Sequence, residues 1–126
     1  MKRDKQMKPQ NRAWVMVTDE ELMKACTPIL QGARNEWGTM FLSAYQIWAL
    51  LNEADDPVCE RLRECHGANV GAGAGRPFTP VVRISHALSR SEKIEHHYMD
   101  GRFTKFRIGD EDIKPGYPIY DIFRLR

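Results

Sequence analysis

Few residues in this 126-residue chain have the types and spacing that chemistry needs. Cys65 and His66 adjoin, and Cys59 lies six residues earlier. Thiolates and an imidazole suit a soft metal. A structural zinc site, however, asks for four convergent ligands, and two cysteines six apart on a helix fall on different sides of it. The spacing therefore reads as plain reduced thiols, with Cys26 as the third. His96 and His97 are neighbours in a segment that reads as a strand, so their side chains point to opposite faces and cannot chelate one ion. Ser85 beside His86, and Cys59 with His66, offer a nucleophile type and a base type, yet no nucleophile elbow or other catalytic signature surrounds either pair. No catalytic residue, metal or cofactor is assigned on these grounds.

Gly71, Gly73 and Gly75, in the run Gly-Ala-Gly-Ala-Gly-Arg-Pro, invite a phosphate-loop reading. The context argues against it. No strand precedes the run, Arg76 stands where a dinucleotide fingerprint wants its third glycine, and no Gly-Lys-Ser/Thr follows. A connecting loop is the simpler reading; anion capture by backbone N–H groups beside Arg76 is its functional alternative.

The remaining candidates are cations and aromatics. Thr79-Pro80 pairs an N-cap with a first-turn proline and opens a helix running to about Arg90. At about 100° per residue, Val81, Ile84 and Leu88 share one side, and Arg83, His86 and Arg90 share the other. A helix of this kind packs one face and offers a basic stripe to phosphate or acidic side chains. Downstream, Asp100-Gly101 between Lys93–Met99 and Arg102–Ile108 predicts a β-hairpin whose second strand carries Arg102, Lys105 and Arg107. Neither face of that hairpin is cleanly apolar in a two-residue register. After the turn Pro115-Gly116-Tyr117-Pro118, Ile119 to Leu125 reads as a third strand, bringing Tyr117, Tyr120 and Phe123 to one end of the chain.

Three further helices must position these residues. Thr18 with Glu21 forms a capping box, and Val17 and Leu22 occupy the staple positions. The helix they start should stop or kink at Pro28, and Gln31 to Thr39 is a connection. Ser43 with Gln46 repeats the box, starting a helix to about Asn52 with Ala44, Ile47, Trp48 and Leu51 as its core face. Asp56-Pro57 and Gly67 bracket a third helix with Val58, Leu62 and Cys65 as its stripe.

A chain of this length builds one hydrophobic core, and its 42% hydrophobic and 29% charged content is that of an ordinary globular protein. No run approaches the roughly 18 apolar residues of a spanning helix, and the N-terminus lacks a signal peptide's apolar middle, so a cytoplasmic location is expected. Residues 1–12 carry five basic residues against one acidic, a net +4, and little that can be buried. They read as a flexible basic tail ahead of one domain spanning 13–126. Residues 13–75 carry four basic and nine acidic residues, net −5, and residues 76–107 seven basic and three acidic, net +4. Such alternation speaks to association with a polyanion or a complementary protein surface.

The segment Ala44-Tyr45-Gln46-Ile47-Trp48-Ala49-Leu50-Leu51, the glycine loop, and Pro115-Gly116-Tyr117-Pro118 with Phe123-Arg124-Leu125 together resemble the small uncharacterised proteins carried by mobile elements such as prophages and integron gene cassettes. The resemblance implies an orphan fold and no catalytic residues to carry over.

The expected fold is α+β, with N-terminal helices packed on a C-terminal three-stranded antiparallel sheet in an arrangement like a winged helix. Two functions compete. In the first, a nucleic-acid-binding module brings Arg83, His86 and Arg90 to a groove and Arg76, Arg102, Lys105 and Arg107 to phosphates. In the second, a protein-interaction or small-molecule-binding module, with a homodimer as one form, uses Tyr117, Tyr120 and Phe123 as anchors.

Overall fold

The computed structural model describes residues 16–70, 79–114 and 119–126. The N-terminal tail, the glycine loop with Arg76, and the Pro115–Pro118 turn with Tyr117 lie outside the described residues. Among the described residues, four helices and antiparallel sheets make an α+β fold.

Helix α1 (Asp19–Gly32) begins as its sequence dictates: the Thr18 hydroxyl accepts from Glu21 N–H, and the Glu21 carboxylate accepts from Thr18 N–H. It does not stop at Pro28, which lies inside the helix. The burial of Cys26 and Leu30 on either side of it holds the last turn against the core, which offsets the missing donor at an exposed position. The expected connection after α1 contains a small hairpin, β1 (Arg34–Asn35) with β2 (Gly38–Thr39). Strand β3 (Leu42–Ser43) runs directly into α2 (Ala44–Glu53), whose capping box is complete on Ser43 and Gln46. In α3 (Val58–His66) the Asp56 carboxylate accepts from Val58 N–H, and Gly67 ends the helix at φ 87°. Helix α4 (Pro80–Ser89) is capped by Thr79.

The main sheet has the order β3-β7-β4, with β7 (Ile119–Leu125) between β3 and β4 (Ile94–Asp100) and every pair antiparallel. Phe123 of β7, with no exposed surface, meets Leu22, Leu30, Ile47, Leu51, Leu62, Ile84 and Leu88 in one core.

The hairpin expected at Asp100-Gly101 is not formed. β4 takes β7 as its partner, while β5 (Phe106–Ile108) pairs with β6 (Glu111–Ile113) across the Gly109-Asp110 turn. The reason is local. The Asp100 carboxylate accepts from Arg102 N–H at 2.9 Å and grips the Arg102 guanidinium, Gly101 O accepts from Thr104 N–H, and Phe103 takes φ 65°. These bonds close the turn on itself and carry the chain out of the sheet. Gly109, at φ 62° in the first central position, supplies the two-residue turn instead.

Candidate functional site

The basic stripe of α4 is where sequence placed it, but its charges face neighbours. Asp19, in the first turn of α1, is held by two arginines. Arg90 Nε and Nη2 donate to its two oxygens at 3.0 and 3.1 Å, and Arg83 Nη1 lies 2.9 Å away in ion-pair contact, off the line of a hydrogen bond. Arg83 Nη2 donates to Val17 O, and only 16% of the Arg83 side chain is exposed. Arg90 above all, opposed by desolvation and helped by Arg83, holds the Asp19 carboxyl below its ordinary range. The expectation that both arginines point into solvent is corrected for Arg83, whereas Arg90 stays exposed while paired, and both tie α4 to α1. His86 is exposed.

The other basic candidates are engaged as well. Arg102 pairs with Asp100 at 2.6 Å, and Lys105 and Arg107 both reach Asp112 at 3.3 Å. Each pair spans few residues, and both carboxylates are lowered, Asp100 chiefly by the Arg102 hydrogen bond and Asp112 chiefly by that of Lys105. Of the aromatic candidates, Phe123 is core, stacked on the His96 ring at 5.0 Å, and so presents no surface to a partner. Tyr120 is half-buried and meets Phe106 edge-on at 5.2 Å, while Phe106 stacks on Tyr45 of α2. Cys26 and Cys59 behave as buried thiols: desolvation pushes Cys26 up to about 12 and Cys59 up to about 11, which keeps both in the unreactive thiol form, while Cys65 is half-buried.

Ser85, His96 and Asp121 are brought together by the fold. Ser85 Oγ donates to Asp121 Oδ2, and His96 Nε2 lies 3.1 Å from Asp121 Oδ1. The carboxylate stands between serine and imidazole, so the imidazole does not take the serine proton, and the cluster fastens α4 to the sheet. The sequence held a signal for it, because Asp121 alternates with Phe123 on the core-facing side of β7, where a carboxylate must be paired.

A wide cleft of about 440 Å³ lies between α1 and the end of α4, lined among others by Met23, Lys24, Ala87 and Lys93. The Asp19–Arg90 pair forms part of its wall.

One surface the sequence reading did not single out is the outer edge of β4. Lys93 O accepts from Arg126 N–H, and the register sets residue 93 opposite 126. In an antiparallel ladder hydrogen-bonded pairs alternate, so the backbone groups of Glu95, His97 and Met99 face β7, and those of Ile94, His96, Tyr98 and Asp100 face outward. Ile94 N–H already bonds Ser91 O. Among the described residues no strand lies on that side of β4. Tyr98 is 67% and Met99 47% exposed, and just beyond the strand Phe103 stands wholly in solvent with its backbone in the left-handed region. On the face turned away from the helices, Glu95 Oε1 accepts from Arg124 and Glu95 Oε2 lies 2.9 Å from His97 Nε2. The Arg124 guanidinium sits 4.5 Å over the Phe41 ring.

No helix among the described residues is long and apolar enough to cross a membrane. The chain matches no protein-family model, no curated protein and no solved structure.

Proposed function

We propose that the domain is a protein-interaction module that recruits an extended segment of a partner onto the outer edge of β4. One observation carries this reading: a seven-residue, bulge-free edge strand without proline or lysine inside it, bordered by exposed aromatic and apolar side chains. Folded proteins ordinarily guard such an edge with lysine, proline or a bulge, because its unpaired N–H and C=O groups template pairing with another chain. Added strands gain affinity from these main-chain bonds and specificity from alternate side chains. Phe103 supports the same reading, since a bulky residue at positive φ costs about 1–2 kcal/mol and here places its ring in water. The nucleic-acid reading has less support, because Arg83, Arg90, Arg102, Lys105 and Arg107 already neutralise carboxylates of the same chain.

Residue-resolved amide exchange tests the reading. In the dilute isolated domain the His97 and Met99 amides should be protected and the His96 and Tyr98 amides should exchange fast. Slow exchange at His96 and Tyr98 in the isolated domain would mean the edge is already covered, and the proposal would fall. A titration with labelled duplex DNA should show no steeply salt-dependent binding; a slope of several phosphate contacts would restore the nucleic-acid reading.

A further inference from the structure

Resting on the strand-recruiting reading of β4, we infer that the partner is a second copy of this chain, added antiparallel through β4 about a twofold axis at His96. A twofold perpendicular to the sheet sets each residue opposite one of the same face, so only registers centred on a single residue are allowed. The side chains choose among them. Centring on His97 sets two imidazoles against each other and Glu95 against the partner's Met99. Centring on Tyr98 leaves Glu95 opposite the partner's Gly101. Centring on His96 sets Glu95 opposite the partner's His97 at both ends of the axis, a carboxylate facing an imidazole, and sets the exposed Tyr98 against the partner's Ile94.

The backbone agrees with that choice. His96 and Tyr98 turn their backbone groups outward, so His96 exchanges bonds with the partner's His96, and Tyr98 N–H donates to the partner's Ile94 O. Ile94 N–H, which a complete pair would donate to the partner's Tyr98 O, already bonds Ser91 O, so each Ile94–Tyr98 pair is joined by the Tyr98 N–H bond alone. Glu95 and the partner's His97 fall in a non-hydrogen-bonded pair, the kind that brings side chains closest. Glu95 already bonds His97 of its own chain, so the two copies would join their carboxylates and imidazoles into one four-membered network. The assembled sheet runs β3-β7-β4 and on through the second copy in reverse order, six strands with neither β4 left as an edge.

Sedimentation velocity on the full chain across a concentration series, with amide exchange at each concentration, tests the inference. A monomer–dimer equilibrium is expected, in which the His96 and Tyr98 amides become protected as dimer forms. Tyr98→Pro removes one outward N–H and leaves the bonds of His97 and Met99 to β7 in place, so it should yield a monomer. Tyr98→Lys, a change at an exposed side chain, gives the same readout should the proline perturb the strand. His97→Glu places like charges opposite each other twice and should weaken the dimer about tenfold. A chain that stays monomeric with fast His96 and Tyr98 amides overturns the second-copy inference and leaves strand recruitment standing. A dimer indifferent to both Tyr98 substitutions overturns it as well. Protected His96 and Tyr98 amides in a monomer overturn both readings.

Discussion

Glu21 shows how much one exposed carboxylate can be asked to do. It closes the cap of α1 on Thr18 N–H and binds the Arg61 guanidinium through both oxygens, at 2.6 and 3.2 Å, so helix start and α3 meet at one group. Arg61 first, then Thr18 N–H, lowers its pKa from 4.5 to about 2. A carboxylate depressed in the folded state contributes stability above the unfolded-state value, and that contribution is lost as pH falls through the folded one. Between about pH 4.5 and 2 the unfolded chain therefore takes up this proton first, and stability falls. Glu21→Gln keeps a capping side chain but removes the charge, so its urea midpoint should fall less than the wild type's between pH 5 and 2.5. Equal falls would show that Arg61 contributes nothing through Glu21. Asp19, Glu95, Asp100 and Asp112, each lowered by a neighbouring cation, contribute to the decline the variant retains.

At the scale of elements, Pro28 marks a conflict that the fold resolves in favour of packing. The helix runs on to Gly32 because Cys26 and Leu30 are both fully buried, so the lost bond to Lys24 O is tolerated on the exposed side. Pro28→Ala restores the donor and relieves the ring clash, and should raise stability by about 1–3 kcal/mol, read as a melting temperature higher by about 5 °C or more. An unchanged melting temperature would mean the helix was already relaxed around the ring. Caps and stripes were legible in the sequence because they are local: Thr18, Ser43 and Thr79 each cap the helix they announce. Strand partners were not, because a turn dipeptide reports only a tendency to turn. Asp100-Gly101 turned by binding Arg102, and the Gly109-Asp110 pair, equally a hairpin signal, made the hairpin. The solvent-facing geometry expected of Arg83, and the freedom expected of Arg90, failed for a related reason. Helical periodicity says which side a residue takes, and the acidic first turn of α1 that meets Arg83 and Arg90 is separated from them by more than sixty positions. The β4 edge could not be read at all until the order β3-β7-β4 was known.

On the scale of the whole molecule, one residue joins local and distant structure. Ser43 caps α2 through its side chain while its backbone lies opposite Ile122 in β7, and its neighbour Leu42 meets Phe123, 81 positions away (123 − 42). Closing a loop of that length costs about 4 kcal/mol of chain entropy before the pairing returns anything. Refolding should accordingly be slow for a domain of this size, in milliseconds to seconds, with α2 organised before the sheet closes. Stopped-flow chevrons separate the two roles. Ser43→Ala should mainly slow folding, because the cap belongs to the early helix, whereas Ile122→Ala should mainly hasten unfolding. The reverse pattern would place sheet closure first. A side chain that starts a helix thus sets the clock for a strand encoded eighty residues later.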